Sequence, residues 1–327
     1  MNRYSLILLT LCALFCAGLE FGERYELPRI EAKDARLTRE YACAEELRSV
    51  PGRPVPVLIV GNSLLRKGIN IRLLNRKLQP EFAVTPFVVE DTNYLDWYYG
   101  LQRLFREGAR PKAVILLLTA RQMVSRDVRG DNFAQLLMDR HDLMAVKRTI
   151  ATDNTVTSNL LFANLSRFYG MRSEVHKTFL LRLLPDFPDL AAKLRPPTPP
   201  LTPDSEIEKE AANRLREISS LCSQYGAQFV FVVPPSTAAR DGSSAIQRAG
   251  SSVGVQVFVP FQPQQLPLDL YSDGFHLNYE GADVFTQALG AGLRQLLRSD
   301  NLMRSAESNQ TVRGSGVSLS AAQPSQY

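Results

Sequence analysis

Val55-Pro56-Val57-Leu58-Ile59-Val60-Gly61 is the stretch that decides the fold. It is short and almost wholly apolar, with Pro51-Gly52-Arg53-Pro54 before it and a glycine at its end. A strand with one wet face alternates apolar and polar residues. A run with no polar face needs cover on both sides, the condition of a strand inside a parallel sheet. Residues 113–119, AVILLLT, repeat the pattern more clearly, and 82–89, 229–233 and 255–259 complete a set of five. Between them lie helical patterns at 69–78, at 95–107 with Trp97, Leu101 and Phe105, and at 205–225 with acidic residues in its first turns, favourable for the helix dipole. A last one, at 280–297, carries Val284, Phe285, Leu289, Leu293 and Leu296. Strands alternating with helices predict an α/β fold, a three-layer α/β/α sandwich around a central parallel sheet of about five strands. In such a sheet, ligand chemistry sits at the carboxyl ends of the strands.

The rest of the chain fits around this core. Residues 1–22 hold Arg3 and then the apolar run from Leu6 to Leu19, the length of a signal-peptide core and short for a membrane span. An uncleaved signal-anchor and a cleaved signal both fit, and either places the remaining chain outside the cytoplasm. Residues 23–50 are charged, with Leu37, Tyr41 and Leu47 at helical spacing, and read as a stalk helix. The α/β domain is expected over 51–298, interrupted by a helical insertion at about 123–204 that ends in the proline-rich spacer Pro196-Pro197-Thr198-Pro199-Pro200. Residues 299–327 are rich in Ser, Gln and Gly and read as a disordered tail.

Composition closes off several function classes. The 327 residues are 45% apolar and 22% charged, ordinary for a globular chain with a full core, so a multi-span membrane protein, coiled coil or collagen is excluded. A net charge of +5 with scattered basic residues does not argue for nucleic acid. The four cysteines form no CxxC pair, and three histidines are too few for a His-rich metal site, so neither metal nor cofactor is expected. Cys43 and Cys222 fit either one disulfide or two free thiols. No P-loop or GxGxxG is present, so the fold is not marked as nucleotide-binding.

Two short segments carry reactive residues. Gly61-Asn62-Ser63 follows the first strand, where a glycine permits a sharp turn and the next helix points its first amides at the serine. Asp273-Gly274-Phe275-His276 follows the last strand and precedes the last helix. Three positions apart, Asp273 can approach one ring nitrogen of His276 and fix its tautomer, leaving the other nitrogen to take a proton from a serine hydroxyl. The other candidates read as structure. Arg121 and Arg126 belong to a solvated helix start, His141 and His176 to the surface, and Trp97-Tyr98-Tyr99 to the core rather than to a sugar platform.

Together the two segments resemble the SGNH/GDSL hydrolase superfamily, whose first block is Gly-Asp-Ser and whose last is Asp-x-x-His. The resemblance covers about residues 55–298 and is strongest in DGFHLNYEGADVF. It implies a flavodoxin-like sandwich, with Ser63 as nucleophile, His276 as base and Asp273 as its orienting partner. Three blocks depart from the pattern. Asn62 replaces the first-block Asp. Glu90-Asp91-Thr92-Asn93-Tyr94 lacks the second-block Gly, and Thr119-Ala120-Arg121-Gln122 lacks the Gly and Asn of the third. Oxyanion donors are then expected from Ser63, Asn93 and Gln122, and losing one such donor typically removes ~2.7–4 kcal/mol of transition-state stabilisation. An N-terminal anchor, a stalk and this domain are similar to SGNH proteins that work beside membrane acyltransferases on envelope polysaccharides. The expectation is therefore an extracytoplasmic serine esterase or O-acyltransferase acting on acylated glycans or small esters, with a membrane acyltransferase as partner. Its rival is a catalytically weak SGNH-fold glycan-binding or assembly partner.

Overall fold

The side chains of the strands alternate between two dry cores. Val57, Ile59, Ile115, Leu117, Val230 and Val232 enter one. Leu58, Val60, Val114, Leu116, Phe229 and Phe231 enter the other. The computed structural model describes residues 3–26, 28–128, 133–150, 154–170, 172, 180, 183–184 and 202–314. Two helices, α1 (Arg3–Glu26) and α2 (Pro28–Glu45), precede β1 (Val55–Gly61). Then come α3 (Ser63–Gly68), α4 (Ile71–Leu78), β2 (Phe82–Val88), α5 (Tyr94–Glu107), β3 (Ala113–Leu117) and α6 (Ala120–Val124). The insertion contributes a π-helical turn at Phe133–Leu137, a 3-10 turn at Arg140–Asp142, α7 (Leu143–Thr149), α8 (Asn154–Leu165) and α9 (Arg167–Gly170). The domain closes with α10 (Asp204–Gln224), β4 (Gln228–Val232), α11 (Ser243–Val253), β5 (Gln256–Phe258) and α12 (Tyr279–Gly314).

All five strands are parallel, in the order β2-β1-β3-β4-β5, with Val57 paired to both Val84 and Ala113. The fold is the three-layer α/β/α sandwich. Buried residues of α3, α4 and α12 cover one face. Those of α5, α10 and α11 cover the other. The chain leaves β1 for β2 on one side and returns across it to β3 on the other. The carboxyl ends of β1 and β3 therefore flank the point where the winding reverses, where a doubly wound sheet opens a crevice.

Three local features differ from the sequence reading. Gly61 does not take a left-handed backbone. A Cβ there would lie 2.8 Å from the Leu117 carbonyl oxygen, so the glycine serves the close approach of β1 to β3. The helix read at 69–78 starts only at Ile71, after a separate short helix α3, because Asn70 caps α4 by accepting the Leu73 amide on its side chain. And α2 does not stand clear as a stalk. Leu37 and Ala44 are buried, Glu40 accepts the Val88 amide at 2.8 Å, and Arg36 donates to the Val88 carbonyl. Helix α2 thus caps the open edge of β2.

The last helix runs past its expected end at 297 to Gly314, while residues 315–327 of the expected tail lie outside the described residues. Cys43 and Cys222 are both free thiols, one exposed and one buried. Among the described residues no helix is long and apolar enough to cross a membrane.

Candidate active site

The turn after β1 is built around Asn62, which is 1% exposed. Its side-chain oxygen accepts the Leu64 amide at 3.0 Å, capping α3, and its side-chain NH2 donates to the Thr92 carbonyl at 2.9 Å. One side chain thus ties the serine turn to the loop after β2. An aspartate could do the first but not the second, because a carboxylate has no proton to give. The amide of Ser63 is the first of α3 and is not used within the helix.

The loop that carries the histidine is fixed just as closely. Tyr271 and Leu277 form an antiparallel bridge, and the Ser272 amide donates to the His276 carbonyl at 2.8 Å. Within this closed loop Asp273 accepts the amides of Phe275 and His276 on one carboxylate oxygen, at 3.1 and 2.7 Å. Gly274 takes the left-handed conformation that the tight turn requires (φ +74°). Asn278 then caps α12 by accepting the Gly281 amide. Gly281 itself is needed, since a Cβ there would lie 2.3 Å from the Leu270 carbonyl oxygen.

These two loops bring together residues 213 positions apart. Nδ1 of His276 pairs with the second oxygen of Asp273 at 2.8 Å, and Nε2 with Ser63 Oγ at 3.0 Å. The two amides and the imidazole hold the Asp273 carboxyl well below the usual carboxylate range, the His276 amide contributing most. An ionised Asp273 only accepts, so Nδ1 carries the ring proton and Nε2 is left to accept from the Ser63 hydroxyl. The imidazole is 17% exposed, against 46% for Asp273, so the reactive nitrogen is the better shielded end of the pair. Lys67 lies 3.9 Å from Asp273 on its solvent side.

The expected oxyanion donors fare unequally. Asn93 is buried, and its side-chain NH2 turns to the Asp127 carbonyl at 3.4 Å while its own amide donates to Asp96. Gln122 caps α6, its side-chain oxygen accepting the Thr119 amide at 2.9 Å, which leaves its NH2 group for other use. The loop after β2 keeps the left-handed residue that a glycine would ordinarily supply. Asp91 holds it, at φ +59°. Aspartate tolerates this conformation better than most residues.

A cleft of about 490 Å³ opens at the carboxyl ends of β3 and β4 beside the triad. Gln122, Thr237 and Phe275 line it. The Phe275 ring stands edge-on to the His276 imidazole, centroids 5.0 Å apart. A larger cleft of about 730 Å³ lies between α3 and the start of α12, lined by Lys67 and Asn70. Neither Ser63 nor His276 lines either cleft; Phe275, next to His276, and Gln122 line the smaller one, and Ser272 and Leu277 of the histidine loop line the larger.

No family model and no curated protein matches the sequence. Solved structures do align with it. TesA is 11% identical with a TM-score of 0.36, over 74% of this chain and 99% of that one. An alpha/beta hydrolase enzyme from the metagenome of Lake Arreo, Spain, is 12% identical with a TM-score of 0.38, over 73% and 94%. A catalytic mutant of an acetylxylan esterase from Geobacillus stearothermophilus is 10% identical with a TM-score of 0.37, over 73% and 93%. At these identities and scores the functional reading rests on the geometry of this chain alone.

The remaining sequence candidates fall where structure, not chemistry, uses them. Trp97 and Tyr99 are buried in the core, and Trp97 donates to the Thr92 hydroxyl at 2.9 Å. His141 is exposed and bonds Asp139 within its own turn. His176 lies outside the described residues. Among the described residues no cluster of His, Cys, Asp or Glu could hold a metal ion. Sequence reasoning passed over Phe275 and Thr237, whose hydroxyl donates to the Gly274 carbonyl at 2.7 Å and ties the loop after β4 to the histidine loop. The aromatic residue inside Asp-Gly-Phe-His was the available signal for the first.

Proposed function

We propose that this chain is a serine esterase or O-acyltransferase of the SGNH kind, acting outside the cytoplasm on acylated envelope glycans. The observation that carries the reading is the continuous Asp273–His276–Ser63 hydrogen-bond chain, 2.8 and 3.0 Å, at the reversal point of the sheet.

The geometry gives each group a role. Ser63 Oγ attacks the ester carbonyl while Nε2 of His276 takes its proton. Asp273 holds the imidazolium that results. The Ser63 amide, unused within α3, and the Gln122 side-chain NH2 are the donors offered to the charge developing on the carbonyl oxygen. His276 returns the proton to the leaving alcohol as the carbon–oxygen bond breaks, leaving an acyl group on Ser63. A water or a sugar hydroxyl then gives its proton to Nε2 and attacks the acyl carbon, which releases an acid or a new ester and restores the serine. The exposed ring of Phe275 beside His276 suits an acyl or sugar face at the cleft wall.

Exposed apolar side chains on α1, from Tyr4 to Phe15, support attachment to a membrane through the N-terminus, beside a membrane acyltransferase partner. The turn of the Asn93 side-chain NH2 towards Asp127, with no Gly or Asn in Thr119-Ala120-Arg121-Gln122, favours the second reading, a weak or inactive glycan-binding partner. Full-length protein incubated with O-acetylated polysaccharide and with p-nitrophenyl acetate separates them. Acetate released from, or transferred to, the polysaccharide is the expected result. Turnover of neither substrate rejects the enzyme, and turnover of the small ester alone rejects the glycan. Protease added outside spheroplasts should digest the domain, and full protection rejects the extracytoplasmic placement.

A further inference from the structure

A helix on a protein surface ordinarily turns charged residues outward and apolar ones inward. Helix α8 does the reverse. Its sequence, NTVTSNLLFANL, contains no charged residue, and its buried member is the small Ala163. Outward it presents Leu161, Phe162 and Leu165 at helical spacing, Phe162 54% and Leu165 65% exposed. Met144 on α7 and Leu183 and Leu184 further along the insertion are also exposed. Outside α1 and this insertion, the exposed large apolar residues among those described are Val50, Leu268, Phe275 and Tyr279.

The insertion lies against the N-terminal helix. The Phe162 ring packs on Tyr169 of α9, centroids 5.8 Å apart, and α9 in turn lies against α1. Basic residues border the patch. Lys147 and Arg148 close α7, with Lys147 reaching Asn154 at the head of α8, and Arg172 sits over the Tyr169 ring. An uncharged apolar stripe edged by cations fits the boundary between lipid headgroups and acyl chains. We propose that the helical insertion seats on the bilayer surface through Leu161, Phe162 and Leu165 of α8, beside α1, making a second membrane contact in the chain. This rests on the membrane attachment proposed above and is independent of the esterase chemistry.

The chain's single tryptophan makes the test direct, because Trp97 is fully buried. Full-length protein and its Phe162→Trp variant are mixed with vesicles of phosphatidylcholine and phosphatidylglycerol, with and without brominated acyl chains. Both proteins should sediment with the vesicles. The brominated lipid should quench the introduced tryptophan, with a blue shift of its emission, and leave Trp97 unchanged. Changing Leu161 and Leu165 to Asp in the same variant should abolish that quenching, while circular dichroism reports the fold intact. Sedimentation without quenching overturns this inference and keeps the N-terminal attachment. It would assign the stripe to a protein partner instead. Failure to sediment overturns both.

Discussion

Asn62→Asp restores the residue that the Gly-Asp-Ser pattern carries, and the structure predicts that it harms this chain. The Leu64 amide keeps its cap, since a carboxylate oxygen accepts as well as an amide oxygen. The bond to the Thr92 carbonyl is lost, and a buried oxygen is left facing a negative one at about the present 2.9 Å. An unpaired buried acceptor costs about 1–3 kcal/mol, and a negative charge at the start of α3 returns only about 0.3–1 kcal/mol. The net is a loss of about 1–2 kcal/mol, or a fall in Tm of about 2–8 °C for a domain of this size. The pH dependence follows from the proton. Protonated, the introduced carboxyl can donate to Thr92; ionised, it cannot, so folding raises its pKa above the unfolded value of about 3.9. Its stabilising contact is present below that value and is lost as pH rises through the folded one. Thermal unfolding by circular dichroism from mildly acid to neutral pH should show variant and parent converging in acid and parting towards neutrality. A variant as stable as the parent at neutral pH, or a gap independent of pH, refutes the account of the Asn62–Thr92 tie.

Four other outcomes are expected. Gly281→Ala drives a Cβ into the Leu270 carbonyl and should shift the histidine loop, cutting ester turnover far more than it lowers Tm; unchanged turnover contradicts the role given to that glycine. Asp273→Asn should lower kcat by on the order of 10⁴, as loss of the orienting carboxylate does in serine hydrolases. Because folding depresses the Asp273 pKa, its contribution to stability is fully present above the unfolded value of about 3.9 and is lost as pH falls from there through the lower folded value, so parent and Asp273→Asn stabilities should converge in strong acid. Burial pushes the Cys222 thiol up and out of reach, so maleimide should label Cys43 in the native protein and Cys222 only on unfolding.

The strands were legible because their burial is written in composition. A run such as AVILLLT admits no wet face, and its boundaries moved by no more than two residues. Helix α11 was not legible. Its Ser- and Gly-rich sequence has poor intrinsic propensity, and packing against α10 and β5 sets it instead. Gly250 shows why, since a Cβ there would lie 2.4 Å from the Val257 side chain. The docking of α2 was hidden for a related reason. A charged sequence looks solvated until Glu40 and Arg36 meet the backbone of β2, and no local pattern reveals that edge. At the site, Ser63, Asp273 and His276 were readable from position relative to the strands. Asn93 was not, because its fate depends on Asp127 in another loop. Asn62 looked like a loss of charge; the structure makes it a gain of a donor.

The central claim is that Ser63 is a nucleophile that His276 deprotonates. Its most direct test is stopped-flow release of p-nitrophenol from p-nitrophenyl acetate, with mass spectrometry of the quenched protein. The parent should show a burst stoichiometric with enzyme and an acetyl adduct on Ser63. Ser63→Ala should show neither, with unchanged circular dichroism. A burst of equal size in Ser63→Ala, or an adduct on another residue of the parent, would contradict the mechanism.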